Sequence, residues 1–78
     1  MVKFVLIEET ESRILYAYYP EGSSEFGTVS FDKKAETGAI EVLAPQDKHQ
    51  IYALKVLKRL REMAIQKFFE KEGLVVLY

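Results

Sequence analysis

His49 is the single histidine of this 78-residue chain, and cysteine is absent. Nucleophilic catalysis by a Ser-His pair would have to use that one imidazole, and a Cys-His pair has no thiol to use. His49 stands near the start of the only helical pattern, in "APQDKHQ", where the positive end of a helix dipole disfavours an imidazolium. Asp47 and His49 are two metal-capable side chains two positions apart, short of the three or four ligands that zinc or another transition metal needs. Glu8, Glu9 and Glu11 crowd one polar segment, which has the composition of a solvated turn and offers no partner for general acid-base work. The four glycines stand singly, so no phosphate-cradling loop is present. These residues predict no catalytic site, no metal and no cofactor, and hence a non-enzymatic role.

Binding chemistry is better represented. Lys55, Lys58, Arg59 and Arg61 fall within seven positions of the helical pattern, and Tyr16 and Tyr18 stand in a strand-like run. Cations and aromatics together are the equipment of a nucleic-acid surface, which makes that a second reading. Glu62 and Glu70 interrupt the basic stripe, and the net charge of −1 supplies no general attraction to polyanions. The charge is divided, with −5 over residues 1–47 and +4 over residues 48–78. Two halves that face one another, or one basic binding face, would both account for it.

The elements that must position these groups follow from pattern. At 49% hydrophobic and 29% charged residues the composition is that of one globular domain. Without cysteine its stability rests on apolar burial. The apolar start is too brief for a secretory core or a membrane span, and a cytoplasmic protein is expected. Val2–Ile7 reads as a first strand and Arg13–Tyr19 as a second, ended by Pro20. Phe26–Asp32 alternates as a third strand, and Ala39–Leu43 follows a turn as a fourth. A helix is predicted from Asp47, as N-cap, to Gly73, as the residue past its end. Those roughly 25 residues would span about 37 Å. This overhangs a strand of six or seven residues, so a protruding helix or an irregular first turn is expected. Leu74–Tyr78 then forms a fifth strand beside the first, in the order 5-1-2-3-4. The fold class is therefore α+β: an antiparallel four- to five-stranded β-meander sheet with one long helix packed on one face.

One strand breaks the expected alternation. "ILYAYYP" is apolar on both sides, with Ile14, Tyr16 and Tyr18 on one and Leu15, Ala17 and Tyr19 on the other. Placing Val29, Phe31, Ile40 and Val42 under the helix with Phe4, Leu6, Leu15 and Ala17 leaves Val5, Ile7, Ile14, Tyr16 and Tyr18 on the open face. On the helix, Lys55, Arg59, Glu62, Gln66 and Glu70 form the solvated stripe. Ile51, Leu54, Leu57, Leu60, Ala64, Ile65, Phe68 and Phe69 form the buried one, widened by Val56 and Met63. Arg61 lies inside this arc, its stem over apolar neighbours and its head toward a sheet carboxylate or water. An apolar arc this wide and an oily open face exceed what one helix can cover. The chain is therefore expected to self-associate as a homodimer, with Val5, Ile7, Ile14, Tyr16, Tyr18, Val56 and Met63 as interface candidates and no membrane partner.

The segments "YYPEG", "GTVSFDKK" with the following "ETGAIEVL", and the ending "EGLVVLY" resemble elements of small uncharacterised bacterial proteins. That resemblance implies a β-meander followed by one helix and transfers no functional residue.

Overall fold

A computed structural model describes residues 1–76. Five strands, β1 (Val2–Glu9), β2 (Arg13–Pro20), β3 (Gly27–Asp32), β4 (Thr37–Val42) and β5 (Glu72–Val75), and one helix, α1 (Ile51–Gln66), follow in the order β1-β2-β3-β4-α1-β5. The strands form a single antiparallel sheet in the order β4-β3-β2-β1-β5, and α1 lies across one face of it. This is the expected α+β meander with one helix. Leu77 and Tyr78, assigned to the fifth strand from sequence, lie outside the described residues.

The helix is shorter than its glycine- and proline-free run allows. Its 16 residues span about 24 Å, close to the length of the strands beneath, so no overhang exists. It stops at Lys67, whose left-handed backbone (φ 59°) does what Gly73 was expected to do. The Lys67 and Phe68 N–H groups donate to the Ala64 and Met63 carbonyls, both at 3.1 Å, the double bond pattern of a Schellman end. Gly73 instead lies within β5.

Register decides which side chains the helix covers. Beside an outer row of Val75, Val2 and Pro20, three rows cross the helix side: Gly73, Phe4, Tyr18 and Gly27; Leu6, Tyr16, Val29 and Ile40; Ile14, Phe31 and Gly38. The first of these three is two aromatic rings between two glycines. A Cβ on Gly73 would lie 2.6 Å from Phe4 Cζ, and one on Gly27 would lie 2.5 Å from Tyr18 Cε1, so each ring occupies the space a side chain would take.

The faces of β2 are thus opposite to expectation. Ile14, Tyr16 and Tyr18 are fully buried beneath α1, while Leu15, Ala17 and Tyr19 face away from it. Two irregularities adjust the register: between Leu6 and Glu8 in β1, and opposite Thr28 and Val29 in β4. Because β2 is apolar on both sides, side-chain alternation alone could not have set its phase. The helix is turned as well. Ala53, Val56, Leu60 and Met63 form its buried stripe, so Val56 and Met63 sit at its centre and not at a margin. Ile51, Leu54, Ile65 and Phe68, expected inside, are exposed, and so is Arg61.

Candidate functional site

Five of the seven expected interface residues, Ile14, Tyr16, Tyr18, Val56 and Met63, are core residues and cannot meet a partner without unfolding. Val5 is half-buried on the open face, and Ile7 is exposed at the β1 irregularity. The tyrosines give up their hydroxyls to the fold as well. Tyr16 Oη donates to the Glu70 carbonyl at 2.5 Å. Tyr18 Oη donates to Asp47 Oδ2 at 3.1 Å and accepts the Ala44 N–H at 2.9 Å.

Asp47 organises the start of the helix from outside it. Its carboxylate accepts the N–H groups of Tyr52 (3.0 Å) and Ala53 (2.8 Å), two of the four donors that a helix leaves without an internal partner. The residue preceding the helix, Gln50, has a left-handed backbone (φ 61°) and makes no side-chain capping bond. The capping chemistry predicted for Asp47 is therefore present, supplied from three residues before the expected geometry. Since Asp47 is 2% exposed, its negative charge lies buried at the positive end of α1.

Burial pushes the Tyr16 phenol well above its ordinary range, helped by the negative charges of Glu9 and Glu70. Burial also raises Tyr18, with the Ala44 N–H acting against it and Asp47 adding to it. Above about pH 10 an unfolded tyrosine loses its proton while these two retain theirs. The folded chain then binds more protons than the unfolded one, so stability is complete below that pH and declines as pH rises further. Alkaline denaturation followed by circular dichroism is expected to show this decline, with a shallower slope in Tyr16→Phe. An identical slope in the variant would refute the assignment to Tyr16.

The basic residues do not form one surface. Lys55, Lys58 and Arg59 line a shallow cleft between α1 and β5. Arg61 is on the other flank of the helix, in a groove with Phe31 and Phe69. Arg59 is committed internally, donating from Nη2 to Glu70 Oε1 at 2.6 Å, which ties the helix to the segment leading into β5. Among the described residues no group of three or more histidines, aspartates or glutamates is placed to hold a metal, and no helix is long and apolar enough to cross a membrane.

The chain matches no known protein family, no curated protein and no solved structure.

The surface left uncovered is the far side of the sheet. Its rows, read from the pairing, are Leu74, Lys3 and Tyr19; Glu72, Val5, Ala17, Thr28 and Val42; Glu8, Leu15, Ser30 and Ala39. Val5, Leu15, Ala17 and Tyr19 make an apolar centre. Phe26, its ring centre 5.3 Å from that of Tyr19 and inclined to it by 42°, and Leu74 enlarge it. Charges surround that centre: Lys3 and Glu72 at one end, and Glu8 and Arg13 toward the other. Arg13 pairs with Glu41 at 3.5 Å, and Glu41 also accepts from Ser30 Oγ at 2.7 Å. Sequence reasoning found Val5 here but missed Leu15 and Tyr19. The bulkier set on β2, Ile14, Tyr16 and Tyr18, was the available signal for the helix-facing side, with small Ala17 left for the other.

Proposed function

We propose that the protein is a cytoplasmic, non-enzymatic self-association domain that dimerises through the uncovered face of its sheet. The observation that carries this reading is an apolar centre, the half-buried Val5, Leu15 and Tyr19 around the buried Ala17, on a face to which none of the described residues brings a second layer. A polar rim around an apolar centre is the anatomy of a protein interface. Five strands about 4.8 Å apart and six residues long present a footprint of about 24 by 20 Å, or about 1,000 Å² for two copies. That is the lower end of specific interfaces, and it implies a reversible dimer. The rim suits a two-fold arrangement, since Lys3 and Glu8 lie toward opposite ends of β1. With the two copies of β1 running in opposite directions, each lysine meets the other copy's glutamate.

Light scattering coupled to size exclusion is expected to give a mass approaching twice 9.0 kDa at high micromolar concentration. Leu15→Lys is expected to weaken the dimer by about ten-fold or more with the circular dichroism unchanged, whereas Ile65→Lys on the exposed side of α1 leaves it intact. A monomer at every concentration removes the proposal. So does a dimer that resists Leu15→Lys and yields to Ile65→Lys, which would move the contact to the helix.

A further inference from the structure

On the helix side of the molecule, away from the proposed dimer face, the last turns of α1 and the neighbouring strand ends enclose an open groove of about 830 Å³. This lies within the range of small-molecule sites, roughly 300 to 1,000 Å³. Its floor is aromatic: Phe31, 1% exposed, and Phe69 stand 6.3 Å apart with their rings inclined at 50°. Ile65, 75% exposed, forms one apolar wall.

The charges around it are unequal in availability. Lys33 Nζ is held in place by Glu9 Oε2 at 2.7 Å and the Thr10 carbonyl at 2.8 Å, and lies 5.4 Å from the centre of the Phe69 ring. Glu9 and Lys33 therefore neutralise one another. Arg61, from the helix, and Lys67, from its left-handed end, also line the groove, and neither has an ion-pair partner among the described residues. Glu36 is the one remaining acid on the lining. The carbonyl end of α1 contributes at most about half a negative charge, and Lys67 and Phe68 already satisfy two of its carbonyls. Two unpaired cations thus outweigh one carboxylate at the mouth of an aromatic pocket.

We infer that this groove is a binding site for a small amphipathic anion, a flat aromatic acid whose ring lies against Phe69 and Ile65, above the buried Phe31, and whose carboxylate is held by Arg61 and Lys67. The charge-assisted bonds select the acid, and the rings select the flat body. A small acid fits better than a polyanion, because the cations are few and Glu36 and Glu9 border them.

Titration of the ¹⁵N-labelled protein with 2-naphthoate, and separately with its neutral isostere 2-naphthamide, tests the site. Naphthoate is expected to shift the amides of residues 31, 33 and 61–69 saturably, and naphthamide to bind about ten-fold more weakly or worse. The Arg61→Gln/Lys67→Gln pair, both solvent-facing, is expected to weaken naphthoate about five-fold and to leave naphthamide unchanged. Equal affinity for acid and amide overturns the inference, as do undiminished naphthoate binding by the double variant and shifts confined to the amides of Val5, Leu15 and Tyr19. Absence of any naphthoate shift at millimolar concentration overturns it too. The dimer face is separate, so Leu15→Lys is expected to bind naphthoate normally.

Discussion

Asp47→Ala is expected to destabilise the fold by about 3 kcal/mol. Three donors converge on this one carboxylate: the Tyr52 and Ala53 N–H groups and the Tyr18 hydroxyl. Truncation orphans all three, two of them, the Tyr18 hydroxyl and the Ala53 N–H, in buried positions. Among the described residues no other side chain caps the start of α1, which has no acidic residue in its first turn. A domain of this size has only about 5 kcal/mol to lose, so the melting temperature is expected to fall by about 15 °C. Asp47→Asn keeps one acceptor oxygen and is expected to lose about half as much. Thermal unfolding followed at 222 nm measures both, and a drop below about 1 kcal/mol for Asp47→Ala would show that the carboxylate is only an ordinary surface charge. Tyr18→Phe removes one of the same donors. The double variant is therefore expected to be less destabilised than the two single effects added together.

The second large effect is expected at Gly27. A Cβ there would lie 2.4 Å from the Val42 carbonyl oxygen, 2.5 Å from the Ala44 nitrogen and 2.5 Å from the Tyr18 ring. Two of those neighbours are backbone and cannot rotate away, so the sheet edge or the ring must move. Gly27→Ala is expected to cost about 3 kcal/mol, an outlying value for a change of one methyl group. Displacing the ring would also break the bonds of the Tyr18 hydroxyl to Asp47 and Ala44. The near-ultraviolet circular dichroism is accordingly expected to weaken even below the melting transition. A variant with unchanged stability and an unchanged aromatic spectrum would mean that Tyr18 does not rest on Gly27.

The architecture was legible because its signals are local. Val2–Ile7 is rich in β-formers and Phe26–Asp32 alternates, while the turn expected around Thr37-Gly38 falls earlier, at residues 33–36, so that both residues already belong to β4. The helical run is unbroken by glycine or proline. These features gave the sheet order, the single helix and the capping role of Asp47. What stayed hidden was rotational: the face of β2 and the buried stripe of α1. β2 is apolar on both faces, and the apolar arc of α1 is wider than the stripe the sheet can bury, so the chemical contrast that normally sets orientation is weak. Tyr16 and Tyr18 were placed outside because Leu15 and Ala17, the latter small enough for close helix approach, were assigned to the helix side with Val29 and Phe31. Inside, each found a hydrogen-bond partner contributed by a segment remote in sequence, Glu70 at one end of the helix and Asp47 at the other. Gly27 and Gly73 marked the row where the rings lie, but only the register shows that they flank Phe4 and Tyr18.

The pairing of β5 with β1 joins Val2 to Val75, whereas the meander pairs segments close in the chain. Closing a loop of about 70 residues costs roughly 1.7 kcal/mol more chain entropy than closing one of about 10. The three hairpin contacts and the helix can therefore assemble before that long closure is favourable, leaving β5 to dock last. Until it does, Phe4 lacks the strand that carries Gly73, and β1 shows its ladder of N–H and C=O groups to any passing chain. A nascent or refolding molecule is thus most open to wrong pairing at its first strand, and its yield should depend on how soon the segment after the helix arrives.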